Sequence, residues 1–400
     1  MLKFLYKSKI ILFIMLLVYF KPVCFQYFSS LNIIENFFVF AKILIAGIVI
    51  FCYIFNLLFF LPKLKINYLF IIIFAFETWI FLVTLYKGNA VLRAFIDLVT
   101  IYSLVLLISS AMKEDINNFI ITFSNMFLFL TVMQCLSIIV WPNGLPADLY
   151  NNKANPLYFV TVDNGTASLI IIAMMLLMIK KNYTTQKGNS YNEYIAIAIC
   201  ILTGVVSGST TAILCSIFYL IYIYIMDLTH IKILENPWGV AGIYCLLFLC
   251  VVYSENSFVL NIINNLIGKE GFTGRTFLWE NAIKLIQNSP VMGYGRLTND
   301  YLNVWGGAYS SHNIILEILL QGGGIALSLW CIIMILVLKR FKYWKNIKEK
   351  RILIAAFIMM LIALMMEANV HSVYLFSIIT IIYNGKVICK NDCILNNNIL

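Results

Sequence analysis

Apolar residues run in long blocks separated by short polar breaks, at about 10–20, 37–61, 66–86, 91–111, 118–141, 164–180, 191–206, 210–227, 237–254, 312–338, 352–366 and 372–388. A run of about 18 or more apolar residues predicts a helix that crosses a bilayer, because the hydrocarbon takes about 20 residues to span. Helices suit lipid because they satisfy every backbone N–H and C=O internally. The blocks predict an all-α fold, a polytopic membrane helical bundle of about 12 transmembrane helices, with residues 1–400 forming a single integral-membrane domain. Met1 to Phe20 has the basic start and apolar core of a signal peptide. Lys21-Pro22 stands where small residues would mark cleavage, so the segment is read as a retained first helix.

One stretch breaks the apolar pattern, from Gly271 to Gly324. Between Arg275 and about Asn288 the periodicity is helical. Leu278, Ala282, Leu285 and Ile286 share a face, Glu280 and Lys284 form an i,i+4 pair on another, and Asn288-Ser289-Pro290 ends the helix. With Phe277 and Trp279 this is an amphipathic helix suited to a membrane surface. Gly293-Tyr294-Gly295 predicts a sharp turn. The next apolar helix opens at about Ser310-Ser311-His312, and Asn313, Glu317, Gln321 and Gly324 line up along it as a polar stripe. At ~100° per residue His312 falls ~140° away from Glu317, so the two do not stack as a simple dyad. Gly322-Gly323-Gly324 allows a close helix approach or a kink.

Composition agrees with a membrane chain: 62% hydrophobic and 12% charged residues, with mean hydropathy +0.92. Soluble domains carry roughly twice that charged fraction. The net charge of +10 would fit nucleic acid, but the basic residues gather in short loops between the blocks, so no nucleic-acid partner is expected. With the N-terminus in the cytoplasm, the inside segments collect nineteen of the 28 Lys and Arg residues and the outside segments seven, Lys42 and Arg93 lying within helices. That bias orients both termini inward. It places a large extracytoplasmic loop with the amphipathic helix at 255–311 and a basic cytoplasmic loop at 339–351. Most of the ten cysteines lie in apolar runs, with no CxxC or Cys/His spacing, so neither a disulfide framework nor a metal site is expected.

Polar groups within the spans are the remaining candidates. Arg93 and Asp97 sit four apart and can pair on one helix face; a substrate-facing role and a structural ion pair are evenly matched. Glu77 is an intramembrane charge for which a structural reading is favoured. The polar helix starts Thr161–Thr166 and Ser207–Thr211 could hold an anion, but simple N-capping explains them better. In the 271–324 stretch, Arg275 suits a diphosphate because its planar fork stays charged and donates several hydrogen bonds. His312 suits a hydroxyl nucleophile because imidazole titrates near neutrality. A capping histidine and a lipid-binding arginine account for the same residues equally well.

At these residues the chain resembles the O-antigen ligase and polysaccharide polymerase (Wzy-type) superfamily. The resemblance rests on Gly274-Arg275, Trp279, Pro290, Gly293, Gly295, His312-Asn313, Leu316-Glu317 and Gly323-Gly324, and more loosely on 160–230. It implies a metal-independent GT-C-type glycosyltransferase without cofactors, acting at the outer face of the bacterial cytoplasmic (inner) membrane on an undecaprenyl-diphosphate-linked oligosaccharide. Arg275 and His312 become the catalytic pair, the first holding the diphosphate and the second activating or orienting the acceptor hydroxyl. Substrate-binding candidates are Arg93, Asp97, Asn313, Glu317, Arg296 and Trp279. Membrane lipid, a flippase and chain-length regulator proteins are the implied partners. Thr210 departs from the pattern, standing where many relatives carry a second arginine that Arg93 or Arg296 would have to replace.

The leading function is therefore a capsular or O-antigen repeat-unit polymerase. A ligase that moves the finished glycan to a lipid or protein acceptor uses the same chemistry and is the near alternative. A lipid-linked oligosaccharide flippase would spread charge through many helices, and here intramembrane charge is sparse. A purely structural membrane subunit is the fourth reading.

Overall fold

The computed structural model describes residues 6–60, 67–88, 90–150, 155–181, 191–229, 231, 235–252, 275–296, 310–344, 346–367 and 369–385. Thirteen α-helices form among them. They are α1 (Lys9–Tyr19), α2 (Asn32–Phe60), α3 (Tyr68–Lys87), α4 (Val91–Glu114), α5 (Ile116–Val140), α6 (Thr166–Lys180) and α7 (Tyr191–Ser207). Then come α8 (Thr210–Thr229), α9 (Pro237–Val252), α10 (Arg275–Asn288), α11 (Ile314–Arg340), α12 (Ile347–Met366) and α13 (Val373–Tyr383). The only β-type pairing among the described residues is an isolated bridge, Leu157 to Val162. The chain is an all-helical, multi-pass membrane bundle, and each predicted apolar block coincides with a helix.

Lengths differ from the expectation of uniform spans. Ser29–Phe55, Tyr68–Lys87, Val91–Glu114, Ile116–Val140 and Ile314–Tyr343 are long and apolar enough to cross a bilayer. Others, such as Lys9–Tyr19, Thr166–Lys180 and Val373–Tyr383, are apolar but shorter. Helix α6 shows why a short helix can be fully apolar. Its 15 residues pack against α5, α7, α8, α12 and α13, so Leu169 to Leu177 are buried on every side. The outer helix α2 does the opposite, exposing Ile33, Phe37, Phe40, Phe51 and Leu58 as a surface suited to lipid.

Local chemistry sets the ends. Ser8, Asp115, Asn313, Asn346 and Ser372 each accept a backbone N–H in the first turn of the helix that follows. Gly88 closes α3 in the left-handed conformation. At Thr166 the predicted side-chain cap is absent: Gly165 holds that position and makes none. At the other predicted turn, Ser209 Oγ accepts the Ala212 N–H at 3.4 Å, so capping accounts for it.

The antiparallel run of α11 into α12 separates two ends of the bundle. One end carries Arg340, whose guanidinium lies 4.0 Å from the Tyr383 ring centre and donates to its hydroxyl, and the Arg351–Glu235 pair. The expected basic loop 339–351 falls here, except that Lys345 lies outside the described residues. The other end gathers the last turn of α3, the first of α4, the start of α11 and the α12–α13 link. Of the expected loop 255–311, residues 255–274 and 297–309 lie outside the described residues, while α10 and the turn after it belong to this second end.

Candidate functional site

The site is built on a break in α11. Gly323 takes φ 61° and ψ −160°, a conformation open to glycine and essentially closed to other residues. The break frees backbone groups that must find partners away from water. The segment after α10 supplies them. Tyr294 N–H donates to Leu320 O (2.7 Å), Gly295 N–H to Gln321 O (2.8 Å), and Gly324 N–H to Pro290 O (2.8 Å). Trp79 Nε1 donates to Gly322 O at 2.8 Å. The approach requires glycine at Gly293 and Gly295, both at positive φ: a Cβ on Gly293 would meet Leu320 O at 2.6 Å, and one on Gly295 would meet Thr84 Cα at 2.6 Å. The predicted kink and glycine turn are thus one interlocked feature.

Just before the break, the polar stripe of α11 joins a buried hydrogen-bond chain. Ser311 donates through its N–H (3.0 Å) and hydroxyl (2.9 Å) to Glu317 Oε2. Gln321 Nε2 donates to Glu317 Oε1 at 3.0 Å. Gln321 Oε1 lies 3.2 Å from His371 Nε2, and His371 Nδ1 lies 2.8 Å from Glu77 Oε2. Gln321 Oε1 can only accept, so its contact is a hydrogen bond in the tautomer with the ring proton on His371 Nε2. Asp97 Oδ2 lies 4.0 Å from His371 Nε2 and is paired with Arg296 Nη1 at 2.9 Å. The Arg296 backbone is held by Thr84 Oγ1 at 2.8 Å.

Beside this chain stand the two leading candidates. His312 sits at φ 49°, in the left-handed region that a side chain normally avoids. Ser311 bonded to Glu317 on one side and Asn313, whose Oδ1 caps Ile315 and Leu316, on the other hold it there. Arg275, the first residue of α10, is close enough to act electrostatically on both His312 and Glu367. Helix α10 is clamped to α11 by Leu278, Trp279 and Ala282 packed on Leu316 and Leu320, with Met366 at the edge. The His312 ring lies near the Met366 backbone, and the Glu367 carboxyl near the Asn164 side chain. His312 Nδ1, Glu367 Oε1 and Asn313 Nδ2 are buried and have no hydrogen-bond partner among the described residues.

Burial, and then the Arg275 charge, depress the His312 imidazole to about 4, so its ring is neutral. Burial raises the Glu367 carboxyl to about 7, against the opposing pull of Arg275 and Asn164 and with a small push from Asp163. Both groups lie outside the spanning segments, His312 before α11 and Glu367 after α12.

The structure brings together Arg275, His312, Asn313 and Glu317, and separates other candidates. Arg93 is exposed, and Asp97 pairs with Arg296 across the bundle instead of with Arg93. Trp279, Asn313 and Glu317 are buried: Trp279 packs on α11, Asn313 caps that helix and Glu317 accepts from Ser311. Sequence reasoning missed Glu367 and His371. Their signal was a Glu and a His four apart in a short link between apolar blocks, at the end the charge count placed outside.

Residues 195–331 match the family model described as O-Antigen ligase. That segment, about a third of the chain, is similar to this family. The match supports membership of the O-antigen ligase and polymerase superfamily and indicates a glycan-processing membrane enzyme acting on a lipid-linked glycan. Arg275, Trp279, His312, Asn313, Glu317 and the Gly322–Gly324 break lie inside the matched segment; Arg93, Asp97, Glu367 and His371 lie outside it. No curated protein matches the chain.

Proposed function

We propose that this protein is a repeat-unit polymerase for a capsular or O-antigen polysaccharide. It transfers glycan from an undecaprenyl-diphosphate-linked oligosaccharide at the outer face of the cytoplasmic membrane, with both termini in the cytoplasm. The observation that carries the reading is the convergence of Arg275, which opens α10, and His312, in the turn before α11, at one end of the bundle and within the matched segment. A permanently charged guanidinium beside a neutral imidazole suits a reaction that expels a diphosphate and recruits a hydroxyl. Arg275 holds the leaving diphosphate; His312 activates or orients the acceptor hydroxyl. Asn313 and Glu317 position His312, and Arg296, which is paired with Asp97, is the candidate for a second anion contact. The charge bias of the loops supports the orientation.

The ligase reading is favoured by one observation, the description of the matched family. The glycan of a deletion strain separates the two. A single repeat unit on its final acceptor supports the polymerase, whereas full-length polymer stranded on the lipid carrier supports the ligase and refutes the polymerase.

A further inference from the structure

The α12–α13 link brings two ionisable side chains to the site end. His371 anchors it, bonded to Glu77 at 2.8 Å and facing Gln321 at 3.2 Å. Four residues earlier, Glu367 occupies the cap position at the end of α12, next to Met366, which packs at the edge of the α10–α11 contact. The link therefore lies against α11 through His371 and against the α10–α11 contact through Met366. The groups acting on Glu367 come from α10 (Arg275) and from the segment before α6 (Asn164 and Asp163), and Tyr150 feels its charge in turn. Its Oε1 is buried with no partner among the described residues, and so is His312 Nδ1. Buried polar atoms are normally hydrogen-bonded, so two without a partner near one arginine mark a place that a hydroxyl would complete.

We infer that Glu367 takes the proton from the acceptor hydroxyl during glycosyl transfer, while His312 orients that hydroxyl. This rests on the glycosyl-transfer reading above. In the step, the acceptor oxygen forms a bond to the anomeric carbon of the lipid-linked glycan. The bond from that carbon to the diphosphate oxygen breaks, and its electron pair leaves with the undecaprenyl diphosphate against Arg275. The hydroxyl proton passes to the Glu367 carboxylate. Glu367 suits this part because its buried Oε1 is an acceptor with no partner among the described residues, and its carboxyl, lifted to about 7, is matched to neutral pH, whereas the imidazole, held down near 4, is a weak base.

The test uses the full-length protein in lipid nanodiscs. The probe is lipid-linked oligosaccharide extracted from a strain deleted for this chain, and turnover is measured from pH 4 to 9. Activity falling about tenfold per pH unit below pH ~7 is expected, since a base must be deprotonated. Glu367→Gln should lose about 10²–10⁴-fold in kcat with little change in KM for the lipid-linked substrate. Glu367→Asp should restore part of the loss, which a merely structural role would not predict. An acid limb near pH 4, with Glu367→Gln close to wild type, overturns the inference and returns the proton to His312. The wild-type limb decides even if a variant fails to fold. A wild-type protein that transfers no glycan refutes the underlying reading, whereas a wild type that transfers glycan without needing Glu367 refutes only this inference.

Discussion

Replacing Gly323 by alanine tests the interlock on which the site depends. Gly323 has φ 61° and ψ −160°, and a Cβ there would meet Val291 O at 2.2 Å, Val291 C at 2.3 Å and Met292 N at 2.6 Å. All three are backbone atoms, so no rotamer change relieves the clash. Forcing a side chain into this region costs roughly 1–3 kcal/mol in backbone strain. Moving Val291 away also loosens the Gly324 to Pro290 (2.8 Å) and Ile325 to Val291 (3.4 Å) bonds, each worth about 1 kcal/mol. Together the loss is about 3–5 kcal/mol, a population shift of at least ~100-fold. Gly324→Ala is the matched control: its Cβ would meet only Pro290 O at an ordinary 3.4 Å, and φ is not positive. The assay is the monodisperse fraction of a fluorescent fusion after heating in detergent. Gly323→Ala should melt several degrees below both wild type and Gly324→Ala, and should make no polymer. Equal melting of the two variants would refute the claim that the break is held by backbone contact with the 290–295 turn.

Other substitutions probe the chemistry. Arg275→Ala and His312→Ala should each abolish polymer while leaving the protein in the membrane, as immunoblotting of membranes and of glycan would show; normal polymer length in both removes the site assignment. Glu317→Gln places an amide N–H₂ where Glu317 now accepts from Ser311 and Gln321, so one buried donor faces another, at a cost of about 1–3 kcal/mol. The expected result is lowered thermal stability and lowered turnover together, through loss of the His312 turn; an unchanged melting curve would separate Glu317 from that turn. Reporter fusions at Gly144 and at Tyr343 should report opposite sides of the membrane. Agreement between them would sink the proposed topology.

The helices and their order were legible in the sequence because a bilayer demands them: apolar blocks of sufficient length have no other stable state in lipid. The amphipathic helix at Arg275–Asn288 and the break at Gly322–Gly324 were legible for local reasons, an i,i+4 apolar face and three consecutive glycines. Charge partners were not legible. Arg93 and Asp97 share a helix face, yet Asp97 is paired with Arg296, nearly two hundred positions away, because the 290–296 turn threads between α3 and α11. The same holds for Trp279, which the sequence places on an amphipathic helix and which is buried where α10 lies on α11. Periodicity depends only on neighbours along the chain, so the sequence alone determined what each segment is. Which buried polar atoms meet depends on how far-separated segments cross, and only the tertiary structure decided that Glu367 and His371 belong beside His312.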